Sequence, residues 1–163
     1  MSEERIWAPW RLAYVKEAGK DPDEECIFCA KPAAEDDETT LIVHRGESAF
    51  VILNKYPYTS GHLMVAPFEH TGRLEEIPAA TVAEIMDLVQ QGIRLLEETY
   101  GPQGYNVGVN QGRAAGAGVE HHIHVHVVPR WGGDTNFMSS VGDSRVIPQS
   151  LEDTYEALRG GFS

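Results

Sequence analysis

The sequence predicts an α+β fold, an antiparallel meander of about five strands with a long helix packed on one face. Three observations carry that expectation. Paired β-prone runs lie before residue 70, one long amphipathic stretch follows Thr81, and two alternating segments lie between Tyr105 and Val128. Residues 41–43 and 50–53 flank Arg45-Gly46-Glu47 and read as a hairpin. Residues 54–61 hold Pro57 and Gly61 and read as a loop; residues 62–66 read as a third strand, halted by Pro67.

The helix is expected to begin at Thr81, where Thr81 and Glu84 have capping-box spacing. Ile85, Leu88, Val89, Ile93, Leu96 and Tyr100 recur on one face, and Gly101-Pro102 ends the run. Gly92 costs roughly 1 kcal/mol relative to alanine inside a helix, so a close approach is expected there. Tyr105, Val107 and Val109 alternate with Asn106, Gly108 and Asn110, which is strand logic. The acidic run Glu35-Asp36-Asp37-Glu38 reads as a solvated loop.

Composition narrows the function. The 163 residues fit one globular domain, and 42% hydrophobic content is enough for a core. Thirteen Lys and Arg against 25 Asp and Glu leave a net charge of −12. That balance argues against nucleic-acid binding, which needs clustered positive charge, and against a polybasic membrane anchor. No apolar run approaches the ~18–20 residues of a spanning helix. Met1-Ser2-Glu3-Glu4-Arg5 has no signal-peptide character, so a cytoplasmic protein is expected.

Two segments carry chemistry. Cys26-Ile27-Phe28-Cys29 leaves three readings open: half of a zinc site, a redox pair, or two incidental thiols. In His122-Ile123-His124-Val125-His126-Val127-Val128, a period of two puts three imidazoles on one face and the aliphatics on the other. Like charges depress one another's pKa, so at least one imidazole should be neutral near pH 7, usable as nucleophile or metal ligand. Upstream, Gly112, Gly116 and Gly118 make a loop able to turn amides toward a phosphate. No Gly-Lys-Ser/Thr follows, so it is not a Walker loop.

The run from His122 to Val128 resembles the signature of the histidine triad (HIT) superfamily at every position. The likeness extends over most of residues 26–137, leaving 1–25 as an N-terminal arm and 138–163 as a C-terminal extension of a single HIT domain. Ala8-Pro9-Trp10-Arg11 and residues 129–137 are similar to the bacterial branch that cleaves diadenosine tetraphosphate. The resemblance implies a nucleotidyl hydrolase or phosphorylase of dinucleoside polyphosphates, with His124 as the attacking group. His126 would touch phosphate and orient the nucleophile. Asn110 and the amides of Gly116, Ala117 and Gly118 would hold phosphate, Asn54 the ribose, and Leu53 and Trp10 would wall the base.

It further implies a structural zinc on Cys26, Cys29, His70 and His122, a place near the site for His62 in either a supporting or a direct role, and a homodimer, for which the helix and its neighbouring strand present apolar surface. His44 and His121 match nothing and read as surface residues. A polyanionic substrate meets the negative charge if Arg113, Arg130 and Lys55 concentrate positive potential, or if it arrives with Mg²⁺. Gly116-Ala117-Gly118-Val119 lacks the hydroxyl many relatives carry, which leaves water or phosphate as the second acceptor. Two other classes stand beside the enzyme: a nucleotide-binding regulatory module, and a metalloenzyme whose metal sits on His122, His124 and His126 together.

Overall fold

The computed structural model describes residues 25–135 and 148–163. Five strands, β1 (Ile42–Arg45), β2 (Ala49–Leu53), β3 (Leu63–Pro67), β4 (Gly104–Val109) and β5 (Val125–Arg130), form one antiparallel sheet. Its order is β1-β2-β3-β5-β4, so the meander holds for three strands only. The long helix carries the chain to the far edge, where β4 forms, and β5 returns into the gap. That exchange places the histidine-bearing strand inside the sheet, beside β3 on one flank and the edge strand β4 on the other.

Cross-strand register sorts every side chain to a face. Ile52 pairs with Met64, Met64 with His126, and His126 with Gly108. One face therefore carries Phe50, Ile52, Met64, Ala66 and His126, and helix α1 (Ile27–Ala33) covers it with Phe28. The opposite face carries Val51, Leu53, Leu63, Val65, Val125 and Val127 beneath the long helix.

The short acidic turn α2 (Asp37–Thr40) replaces the expected solvated loop. Asp36 caps it by accepting from the Thr39 amide, and Asp37 pairs with Arg45 of β1 at 2.7 Å. The long helix α3 spans Ala79–Tyr100 and starts at Pro78 with no side-chain cap. The capping box does not form. Glu84 instead accepts from the Glu47 and Ser48 amides and the Ser48 hydroxyl, tying α3 to the β1–β2 turn. Burial raises its carboxyl pKa, but these bonds outweigh burial and hold it below the ordinary value.

The apolar stripe of α3 is as expected at Ile85, Leu88, Val89 and Leu96, and Gly101 closes the helix in the left-handed region. At Gly92 a Cβ would stand 3.2 Å from Leu63 and 3.9 Å from Phe162, the anticipated close approach. Within the C-terminal extension, α4 (Leu151–Leu158) buries Tyr155 and Leu158 in the cluster under α3. His44 is not a free surface residue, since its ring stacks on Phe162 at 5.3 Å. Trp10 and the end of the 129–137 motif lie outside the described residues.

After β5 the chain turns on an ion pair. Arg130 donates to Asp134 at 2.9 Å, and that bond holds the Asp134 carboxyl down at about 2. A depressed folded value stabilises the fold above the unfolded carboxylate range and is lost as pH falls through the folded value. Stability should therefore lose an increment between pH ~4 and about 2. Urea titrations across that window should show the increment vanish in Asp134→Asn.

Candidate active site

His122 and His124 precede β5 rather than belonging to it, because the ladder to β3 and β4 begins at Val125. The segment is held instead by neighbouring loops. The Ile123 amide donates to the Thr71 carbonyl at 2.7 Å. Beside it, a Cβ at Gly72 would stand 2.2 Å from the Glu120 carbonyl oxygen, so two backbones pass where no side chain fits. Gly72→Ala should cost about 1–3 kcal/mol through overpacking. A denaturant midpoint unchanged in Gly72→Ala would contradict that contact.

The three imidazoles face three different partners. His122 is fully buried, its Nε2–H donating to the Pro67 carbonyl at 2.8 Å and its Nδ1 turned to the cysteines. His124, 5% exposed, donates Nδ1–H to the His122 carbonyl at 2.9 Å. Since that bond fixes the proton on Nδ1, Nε2 keeps its lone pair. Burial pushes the pKa of His124 down against this bond, and burial with the nearby His70 and His124 pushes down His122. At His122 and His124 desolvation, more than repulsion within the row, is the larger cause. The rings of His124 and His126 meet edge to face at 4.8 Å.

His126 is oriented from a different direction. Its Nδ1 lies 2.9 Å from His62 Nε2, and His62 Nδ1 accepts from the Tyr58 amide at 3.2 Å. A neutral His62 that accepts at Nδ1 carries its proton on Nε2 and donates to His126 Nδ1. His126 then carries its own proton on Nε2. His62 thus sits in a hydrogen-bonded chain from the Tyr58 amide to His126, and nothing in the sequence points to that amide. Only the loop conformation, with its Gly61 turn, could have signalled that amide.

The remaining site residues divide. Asn54 follows β2 on the histidine face, its Oδ1 accepting from the Tyr56 amide and its Nδ2 3.5 Å from His62. Leu53 points the other way, 1% exposed in the cluster under α3. Leu53 lines a small cavity with Asn54 and His62, whereas strand parity puts Ile52 on the histidine face. Asn110 follows β4, half-buried. In the glycine loop, Gly112 and Gly116 adopt φ of 81° and 85°, which a side chain would strain. The amides of Ala115, Gly116 and Ala117 bond inside the loop's own turn. Gly116 and Ala117 therefore do not offer free amides, and Gly118 is the next in line. Arg113 pairs with Glu120 and Arg130 with Asp134, so these two do not supply unneutralised charge.

Cys26, Cys29, His70 and His122 bring one ligand atom each within 4.8 Å of one another. Among the described residues this is the one such group, and nothing supports a Mg²⁺ site. Cys26 Sγ lies 3.4 Å and Cys29 Sγ 3.6 Å from His122 Nδ1, and Cys29 Sγ 3.3 Å from His70 Nδ1. Metal–sulfur bonds of ~2.3 Å and metal–nitrogen bonds of ~2.0–2.1 Å at tetrahedral angles place S and N roughly 3.5 Å apart. These separations are the edges of a coordination tetrahedron. Two sulfurs and two imidazoles fit a tetrahedral transition metal, with the Pro67 carbonyl as the outer partner that orients His122. Burial, then the Cys26 thiol, pushes Cys29 up to about 11 without a cation. Because His122 Nδ1 turns to this cluster and His124 Nδ1 to a carbonyl, the three triad rings do not converge on a shared metal.

A profile of the HIT domain matches residues 35–133. The chain belongs to the HIT family. Its HIT relatives include an AP-4-A phosphorylase of Mycobacterium tuberculosis, 44% identical over 95% of this chain and 82% of that protein. Among solved HIT structures, a Zn-bound histidine triad family protein from Mycobacterium smegmatis matches with a TM-score of 0.68 at 32% identity. That match covers 84% of this chain and 92% of the other. A hypothetical histidine triad nucleotide-binding protein from Sulfolobus tokodaii matches with a TM-score of 0.67 at 28% identity, over 83% and 91%. In the described residues of this HIT protein no helix is long and apolar enough to cross a membrane.

Proposed function

We propose that this protein cleaves dinucleoside polyphosphates of the diadenosine tetraphosphate kind by phosphorolysis, through a nucleotidyl adduct on His124. The observation that carries the reading is the proton placement: His124 donates Nδ1–H to a backbone carbonyl and so presents a neutral Nε2 lone pair beside His126. The 44%-identical AP-4-A phosphorylase supports the substrate class and the phosphate acceptor.

In the first step, the Nε2 lone pair forms an N–P bond to the α-phosphorus. The bond to the bridging α–β oxygen breaks, and its electrons leave with ATP. His126, holding its proton on Nε2, donates to the phosphoryl or departing oxygen, while Asn110 and the Gly118 amide hold the developing charge. Asn54 holds the ribose. In the second step, an oxygen of inorganic phosphate attacks, the N–P bond breaks, and ADP leaves with the imidazole restored. Water in its place would give AMP.

The Cys2His2 set would hold zinc, which would fix structure and take no part in these steps. The dimer is the working form, supported by Val107 at 42% exposure on the edge strand β4 and Met86 at 45% on α3. The expected compartment is the cytoplasm. Sedimentation should give twice the 18.0 kDa chain mass, and a monomer at micromolar concentration would exclude the dimer.

The test is product analysis with diadenosine tetraphosphate. With phosphate the expected products are ATP and ADP, and without it turnover should collapse. ATP and AMP formed equally well without phosphate would make it a hydrolase. Tight AMP binding with no turnover of any dinucleotide would make it a binding module.

A further inference from the structure

The proton placement on His124 needs more than one hydrogen bond. A ring tethered only through Nδ1–H can rock about that contact, sweeping Nε2 through an arc. Two rings close that arc. His126 meets His124 edge-on at 4.8 Å, and Phe28 lies against it at 4.6 Å with 30° between the planes. Phe28 also packs against His122, at 5.4 Å, and is itself 1% exposed. It occupies a telling place in the sequence, between Cys26 and Cys29 at the start of α1. The two thiols that reach the metal cluster therefore bracket the side chain that presses on the nucleophile.

We propose that Phe28 is a positioning residue for His124, and that the Cys26-Cys29-His70-His122 cluster, when loaded, is what holds it in place. The cluster then reaches the nucleophile by two routes. One runs through His122, whose Nδ1 faces the sulfurs and whose carbonyl accepts from His124. The other runs through α1, whose first turn is pinned by the thiols and carries the Phe28 ring. Emptying the cluster loosens both, and the nucleophile samples the wrong tautomer and the wrong angle. This inference rests on the proposed chemistry for its kinetic consequence but not for its structural one.

The experiment uses the full zinc-loaded protein with ¹⁵N-labelled histidine. The wild type should show His124 as the Nδ1–H tautomer alone. Phe28→Leu keeps most of the apolar volume and removes the flat face. It should retain wild-type zinc content, show tautomer averaging at His124, and lose roughly 10–100-fold in kcat with KM within about twofold. Removing the metal from the wild type with a chelator should produce the same averaging, and chelation of Phe28→Leu should add only the loss carried by the His122 route, so that the two losses together fall short of their sum. A folded, zinc-loaded Phe28→Leu with a single Nδ1–H tautomer and wild-type kcat overturns the proposal. Should that variant not fold, an unchanged His124 spectrum in the chelated wild type overturns it equally. If the wild type turns over no dinucleotide, the proposed function fails while the tautomer measurements still decide this inference.

Discussion

His124→Ala should abolish nucleotidyl transfer, lowering kcat by about 10⁴-fold or more, with the Cys26-Cys29-His70-His122 cluster left loaded. The size follows from the role. A nucleophile that becomes covalently bonded has no substitute nearby: His122 spends Nδ1 on the cysteine cluster and Nε2 on the Pro67 carbonyl. His126 spends Nδ1 on His62 Nε2–H and so carries its own proton on Nε2. His126→Ala should cost less, about 10²–10⁴-fold, because it removes a proton donor and leaves the attacking lone pair. The decisive measurement is a quench with labelled diadenosine tetraphosphate in the absence of phosphate. The wild type should carry label on His124 in an acid-labile, alkali-stable linkage, and His124→Ala should carry none. Label elsewhere, or activity within tenfold of wild type, would end the covalent scheme.

Much of this site was legible because alternation reports faces without needing the fold. The parity of His122, His124 and His126 correctly set Val125 and Val127 toward the long helix. The same parity, carried across the ladder to β2, would have turned Leu53 away from the histidine face and Ile52 toward it. That step needs the pairing of Ile52 with Met64 and Met64 with His126, which no single strand contains. Strand order was illegible for a related reason, since a helix the length of α3 can deliver its successor to either edge. The capping box failed because Glu84 had a stronger use: three donors of the β1–β2 turn lie within its reach, against one amide at the helix start. The tautomer chain from the Tyr58 amide through His62 to His126 depends on a backbone donor in a loop, and residue identity says nothing about where such a donor points.

Stripping the Cys2His2 cluster should cost the protein stability and activity together, and the reason lies in what each ligand is attached to. Cys26 stands at the N-cap of α1 and Cys29 within its first turn, His70 follows β3, and His122 leads into β5. A metal among them closes three separate segments at one point. A structural zinc that binds only the folded chain contributes its binding free energy to folding. The sheet and α3 have their own core, so the loss is partial. A loss of ~4 kcal/mol corresponds to a melting temperature lower by roughly 8–16 °C for a chain of this size. Cys26→Ser should bring zinc to near zero by elemental analysis and reproduce the chelator's shift.

The pH dependence has a definite sign. Without a cation, burial and Cys26 hold Cys29 up near about 11, so binding must expel a proton from that thiol. Apparent zinc affinity should therefore weaken by up to about tenfold for each pH unit and each proton displaced as the solution is acidified. Competition with a chromogenic chelator between pH 6 and 8 reads that slope. A Cys26→Ser protein that kept its zinc would remove Cys26 from the ligand set, and one that lost its zinc yet kept its melting temperature and turnover would dissociate the cluster from the nucleophile, although His122 belongs to both.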